Sequence, residues 1–483
     1  MKRLFILAAL VLAAQFSASA KLETKQPCSD GMVLQQRASA LVWGKASAGA
    51  AVTVTTGWDG KSYKAKADSK GVWRTNVQTP AASYKSYDIK VSGDGGSLTI
   101  HDVLVGEVWL ASGQSNMEMP IRGFFNCPVE GANEVIATTH LAGKVRMCTI
   151  DIYQPEEPID DVHSTRGWKD ADPENVAEMS ATAFFFARTL NAALDVPVGI
   201  LAFPRGGAAV ESWLPKSTLA AWGDDVSPEA NAKRDEWTRW YVNYNGMEQP
   251  VKGYTGKGFI WYQGCSNVGR DDTFAERMTE LVRQWREDWG DSANTMPFYQ
   301  VEVAPYQYKG EAQWEKAPAL RQAQHDAAAS IPNSAIVVTN DLAYSYEVDN
   351  IHPCQKQKVG ERLAYLAMHR DYGFERVACY SPEAVRAYRP ENLQSEVWVE
   401  LSNCPNGLDR WQEIEGLEVC GSEQIWKPVQ YAYFEYGSNA LRIRCEGVFD
   451  PSEVRYGWAD FKPGNLHNSE GLPVTPFWIK LEK

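Results

Sequence analysis

What this 483-residue chain lacks narrows its possible roles before anything it contains does. It has no C-x-x-C pair and no Cys/His spacing of the kind that holds zinc, although nine cysteines are present. Beyond residue 20 there is no long apolar run, so the remaining chain offers no segment able to cross a bilayer as a helix. Positive charge is short. Lys and Arg number 48 against 61 Asp and Glu, a net charge of −13, and such a surface repels nucleic acid and anionic lipid. Histidine is scarce, seven in all, which leaves few candidates for a general base. Internal repeats and low-complexity stretches are missing, and 44% hydrophobic with 23% charged residues is a globular composition. The length exceeds what one ordinary core serves and implies two or three domains.

The first twenty residues carry an export pattern. Lys2 and Arg3 give a positive start, Leu4 to Ala14 is an apolar run too short to span a membrane, and Ala18-Ser19-Ala20 fits a small-residue cleavage site. Cleavage after Ala20 is expected, giving a periplasmic or secreted protein with no membrane insertion. Loss of Lys2 and Arg3 leaves 46 basic residues against 61 acidic ones, a net charge of −15. An exported compartment permits disulfides, and an odd number of cysteines leaves at least one thiol free or paired between chains.

Residues 21–102 read as a β-sandwich-like domain, with short alternating runs such as Ala51-Val52-Thr53-Val54 and Gly-rich turns between them. From 103 to 373 the pattern changes. Val103 to Ala111, Pro197 to Phe203, Gly258 to Tyr262 and Ala335 to Thr339 read as buried strands. Between them lie helices over 173–194, from Asp272 through Phe274, Met278, Leu281 and Trp285, from Pro318 to Ala329, and around Val359, Leu363 and Leu366, stopped by Gly373. Such alternation implies a parallel α/β sheet covered on both faces. Residues 374–483 return to strand patterns and form a second β-rich domain or extension.

The chemistry is expected where buried strands end, because open α/β sheets place their sites there. The first strand runs into Ser112-Gly113-Gln114-Ser115-Asn116-Met117, a turn that can present the Ser115 hydroxyl and backbone N–H groups. Met117 stands where the G-x-S-x-G elbow of the α/β-hydrolases needs glycine. A serine nucleophile needs a base, and two histidines sit three residues after an aspartate, His163 after Asp160 and His352 after Asp349. His163 lies in an acidic, Pro-containing loop, whereas His352 follows a strand and precedes a helix; spacing alone leaves both open. Two further loops, Phe203-Pro204-Arg205-Gly206-Gly207 and Trp261-Tyr262-Gln263-Gly264-Cys265-Ser266-Asn267, could add N–H groups and side-chain amides. Four strand-end loops supplying nucleophile, N–H, amide and His/Asp form a coherent acyl-transfer set.

At these residues the chain resembles the sialate O-acetylesterase family, a branch of the SGNH (GDSL-like) hydrolases. The matching segments are Gly113-Gln114-Ser115-Asn116-Met117, Gly206-Gly207 with Glu211-Ser212-Trp213, Trp261-Tyr262-Gln263-Gly264, Leu320-Arg321-Gln322-Ala323-Gln324 and Asp349-Asn350-Ile351-His352-Pro353. Toward the C-terminus Arg455-Tyr456-Gly457-Trp458 and Asn468 to Pro473 join them. The resemblance implies an SGNH-type, flavodoxin-like three-layer sandwich flanked by β-rich N- and C-terminal domains. It implies a serine esterase that removes O-acetyl groups from sialic acids through an acyl-enzyme, without metal or cofactor. Ser115 would be the nucleophile, His352 the base and Asp349 its orienter, which decides between the two histidines. The N–H groups of Ser115 and of Gly206 or Gly207, with the amide of Gln263 or of Asn267, would form the oxyanion hole.

Beside these roles, Trp213, Trp261 and Tyr262 are candidate sugar-stacking faces, and Arg205 a partner for a substrate carboxylate or a structural ion pair. One departure is Cys265, where the family usually has Glu after Gln-Gly. Cys265 and Cys354 follow two of the site motifs, and a disulfide between them is an expectation, set against two buried free thiols. Other readings are an acetylxylan or other glycan acetylesterase, a non-catalytic carbohydrate-binding protein, and a cysteine hydrolase using Cys265.

Overall fold

The computed structural model describes residues 21–141, 143–308, 315–393, 395–409, 412–429, 431–435, 437 and 439–482. The export segment expected at 1–20 lies outside the described residues. Among those described, no helix is long and apolar enough to cross a membrane.

One strand ties two sheets together. Gly96–Gly113 runs unbroken for 18 residues. Its first half pairs antiparallel with Ser83–Gly93, which in turn pairs with Ala51–Thr56. Its second half lies between Val198–Ala202 and Gly258–Tyr262, parallel to both. Burial changes along it. His101 and Asp102 are exposed, and every residue from Val103 to Gly113 is buried, as a strand covered on both faces requires. The change of pattern at 103 is therefore a change of surroundings inside one strand. A second N-terminal sheet, Glu23–Thr24, Ser39–Lys45 and Val72–Gln78, faces the first. Val42 and Trp73 from one and Val54 and Val91 from the other meet in the same core.

The central sheet has the order Thr165–Asp170, Val145–Ile150, Val198–Ala202, Gly96–Gly113, Gly258–Tyr262, Phe298–Val301, Ser334–Val337. Neighbours are parallel except at the Thr165–Asp170 edge. Strand residues alternate between two apolar clusters. Val108, Leu110, Phe259 and Trp261 pack with the helices Asp271–Asp288 and Lys316–Ser330. Trp109, Ala111, Ile260 and Tyr262 pack with Ala181–Leu194 and Lys356–Asp371. Helices thus cover both faces, and the four apolar positions expected along Asp271–Asp288 are all buried. The helix expected from Pro173 begins instead at Ala181, because Ser180 caps it by accepting the N–H of Ala183 at 3.2 Å, while Val176–Glu178 forms a separate turn.

The C-terminal region builds its own sheet, in the order Lys427–Pro428, Leu417–Gly421, Pro451–Tyr456, Phe477–Glu482, Ala384–Tyr388, Glu396–Leu401, Ala440–Arg444, Ala432–Glu435, over a separate core. It is fastened to the α/β part by polar contacts. Asp460 Oδ1 accepts the N–H groups of Lys316 and Ala317 at 2.9 and 2.8 Å, capping a core helix. His467 Nε2 lies 2.9 Å from Asp341 Oδ2, a carboxylate also paired with Arg362.

Candidate active site

The chain leaves Gly96–Gly113 for a strand on one side and later returns to add Gly258–Tyr262 on the other. That reversal opens a crevice at the carboxyl ends of these strands. The turn holding Ser115 stands there. Gly113 has φ +134°, and a Cβ on it would lie 2.2 Å from the Tyr262 carbonyl oxygen, so only glycine lets the strand bend so close to its neighbour. The flanking side chains are committed inward. Gln114 Oε1 accepts the Gly264 N–H at 2.8 Å, and Asn116 Nδ2 donates to the Ile351 carbonyl at 3.0 Å. Gln114, Asn116 and Met117 are 2%, 1% and 0% exposed, whereas Ser115 is half-buried and its hydroxyl makes no hydrogen bond among the described residues. The motif is thus a clamp around one free hydroxyl, a role of Gln114 and Asn116 that sequence reasoning missed.

The loop holding His352 meets this turn directly. Ile351, bonded to Asn116, precedes His352. Lys356, buried, donates from Nζ to Asn116 Oδ1 at 2.8 Å and to the Pro353 carbonyl at 2.5 Å. The His352 ring packs edge-on against Phe124 at 5.2 Å, and its buried Nε2 has no hydrogen-bond partner among the described residues. Burial, and then the Lys356 cation, hold its pKa down at about 4. Burial likewise lowers Lys356 to about 8, against the pull of Glu347. His163, the other candidate, is exposed and stacked on Tyr153 at 4.0 Å.

Asp349 is not hydrogen-bonded to His352. Its carboxylate is exposed and accepts the Gln307 side-chain amide. The amides expected at the oxyanion hole are also committed. Gln263 Nε2 donates to the Ala208 carbonyl at 3.1 Å and to Asn267 Oδ1 at 2.7 Å, using both hydrogens. Asn267 Nδ2 donates to Glu211 at 3.2 Å. The Val210 N–H on Asn267 Oδ1 fixes this orientation, so Gln263 has no N–H to spare and the Asn267 amide is turned to Glu211. Glu211, fully buried, holds Arg270 and Arg277 at 2.7 and 2.9 Å and so ties its own turn to the Gln263–Asn267 loop and to the helix that follows it.

At the glycine pair, the Gly206 N–H is taken by the Glu118 carboxylate, whose pKa burial raises against the pull of that bond and of Arg205. The N–H groups of Ser115 and Gly207 have no partner among the described residues. A Cβ on Gly206 would lie 3.5 Å from Ser115 Cβ, which places the glycine turn against Ser115.

The aromatic candidates fall differently from expectation. Trp213, Trp261 and Tyr262 are 0%, 1% and 2% exposed. They are core, Trp213 and Trp261 meeting edge-to-face at 5.9 Å, and cannot stack on a sugar. Arg205 pairs with Glu236 at 3.5 Å. The disulfide expected between Cys265 and Cys354 does not form, and all nine cysteines are free. The Cys354 thiol faces Glu130 at 3.7 Å, while Cys265 lies beside Tyr308. Where the family's Glu is replaced by Cys265, the nearby Arg321 is satisfied by the carbonyls of Val303, Ala459 and Asp460. Next to His352 a hollow of about 270 Å³ is lined by Glu118, Arg122, Phe124, Thr149, Arg166 and Lys169. A wider hollow of about 710 Å³, beside Trp222 and Glu276, contains none of the site residues.

Residues 105–369 match the family described as carbohydrate esterase, sialic acid-specific acetylesterase. The chain belongs to this family. The esterase is 31% identical to a carbohydrate acetylesterase from Xanthomonas citri of known crystal structure. That likeness covers 94% of this chain and 99% of the other, with a TM-score of 0.81. It is 28% identical to the sialate O-acetylesterase of Mus musculus, over 92% of each chain. With that of Homo sapiens it shares 27% identity, over 97% of this chain and 94% of the relative. It is accordingly a carboxylic ester hydrolase of the carbohydrate-acetylesterase kind.

Proposed function

We propose that the esterase releases acetate from O-acetylated sugars, sialic acids first among them, through an acyl-enzyme on Ser115. The observation that carries this reading is the tie between the two loops. The Asn116–Ile351 bond at 3.0 Å joins residues one position from the hydroxyl and one from the imidazole. His352 takes the Ser115 proton as Oγ attacks the acetyl carbonyl. The N–H groups of Ser115 and Gly207 receive the oxyanion. The sugar alcohol leaves with the proton from His352, and water then repeats the sequence to release acetate. Asp349 orients the ring in the working state by exchanging Gln307 for His352. A role for Cys265 as nucleophile is disfavoured, because burial raises its pKa and keeps the thiol protonated. A purely carbohydrate-binding role is disfavoured by the unpartnered hydroxyl and imidazole in one site. We also propose an SGNH-type three-layer core flanked by β-rich units, and export with cleavage after Ala20.

The test is acetate release from 9-O-acetyl-N-acetylneuraminic acid and from acetylated xylan, with p-nitrophenyl acetate as a small reference ester. Ser115→Ala and His352→Ala should each abolish turnover of all three. Wild-type rates in Ser115→Ala would end the reading, and preference for xylan would transfer it to the plant-polysaccharide ester.

A further inference from the structure

With Trp213, Trp261 and Tyr262 buried, the site loops need another apolar face for a sugar, and one indole fits. Trp237 is 49% exposed, whereas the nearby Trp222 and Trp240 pack against the core. It sits on the short turn Glu236–Thr238, and its side chain lies directly over Gly207. A Cβ on Gly207 would come within 2.6 Å of the indole, and the residue holds φ +72°, so glycine is what admits the ring. Gly206, the preceding residue, is the one that abuts Ser115.

The indole is held, although it is exposed. Arg205 pairs with Glu236 just before it, and the Arg239 carbonyl accepts the Ser212 hydroxyl just after it. The Trp240 N–H donates to Asn231 Oδ1 at 2.9 Å, and the Tyr241 N–H to the Glu211 carbonyl at 3.0 Å. From below, Ser266 Oγ donates to the Gly207 carbonyl at 2.7 Å. What sets this indole apart is its place: a half-exposed apolar face with both flanks fastened to the glycine turn beside Ser115. The C–H face of a pyranose is flat and apolar, with its hydroxyls at the rim, and matches that surface.

We infer that Trp237 is the stacking platform for the sugar ring whose acetyl group reaches Ser115, and so sets the preference for sugar esters over small acetyl esters. This rests on the acetylesterase reading of the Ser115 site. It is tested by the ratio of kcat/KM for 9-O-acetyl-N-acetylneuraminic acid, or for acetylated xylo-oligosaccharide, to that for p-nitrophenyl acetate. Trp237→Ala should lower the ratio about tenfold, chiefly through KM for the sugar ester, and Trp237→Phe should recover most of it. A ratio within about twofold of wild type in Trp237→Ala overturns the inference, since a misfolded fraction would lower both activities alike and leave the ratio unmoved. If Ser115→Ala cleaves p-nitrophenyl acetate at the wild-type rate, the acetylesterase reading itself fails, which separates the two.

Discussion

Replacing Lys356 with Met should raise the pH at which the esterase loses activity on the acid side. His352 can act as a base only when neutral, and its pKa is held at about 4 by burial first and by the Lys356 cation second. For wild type, kcat/KM on p-nitrophenyl acetate should therefore stay level from neutrality to about pH 5 and halve near pH 4. Lys356→Met removes the like charge and leaves the burial. The midpoint should rise by about half to one pH unit and remain below the ordinary histidine value of about 6.5. Lys356→Arg keeps the charge and should leave the midpoint near that of wild type. The Met variant also strands Asn116 Oδ1 and the Pro353 carbonyl, the two acceptors of Nζ, at a cost of about 1–3 kcal/mol each. Circular dichroism at each pH separates inactivation from unfolding. Folding adds its own sign. Unfolded His352 gains a proton below about 6.5 and the folded residue only below about 4, so stability falls as pH drops through that window. After allowance for partial exposure the loss is about 2 kcal/mol. A wild-type acid midpoint near 6.5, or a downward shift in Lys356→Met, would refute the argument.

Asp349→Asn should cost about 10²–10³ in kcat, less than the ~10⁴ of a buried triad carboxylate, because this one is exposed and shared with Gln307; single-turnover acetate release measures it. Gly207→Ala should lower stability by about 1–3 kcal/mol in urea titration, since φ +72° is strained for alanine and the new Cβ meets Trp237 at 2.6 Å. Arg205→Gln should raise KM for an acetylated sialic acid and leave neutral acetylated xylo-oligosaccharides unaffected. Equal effects on both would make the Arg205–Glu236 contact purely structural. Glu211→Ala removes the buried carboxylate shared by Arg270 and Arg277, leaving Arg277 only Asp224, and should cost about 1–3 kcal/mol, read as a fall in Tm.

Much of the architecture was legible in the chain because it rests on local periodicity. The apolar run from Val103, the Gly258–Tyr262 strand and the buried stripe of Asp271–Asp288 stand where pattern puts them. The strands Val145–Ile150, Thr165–Asp170 and Phe298–Val301 escaped notice: two carry charged or polar residues, and the third is only four residues long. The site motifs were legible as segments, and the family resemblance named Ser115 and His352 within them. Which groups in those segments remain free was not. Gln263 and Asn267 look alike in sequence to any other strand-end amides, and their commitment to Ala208 and Glu211 depends on loops more than fifty positions away. Trp237 lies in a stretch without periodicity, so nothing local marks it as an exposed indole beside the site.

The sequence by itself determined the main alternation of buried strands and helices, the turn chemistry that bends the chain at Gly113, and the family. Tertiary structure alone decided which N–H groups face open space, which aromatic rings are core, and that Asp349 turns to Gln307. The physical reason is range. Backbone preferences and apolar spacing act within a few residues, whereas satisfaction of a buried polar group depends on whichever partner the fold delivers, here across 235 positions between Asn116 and Ile351.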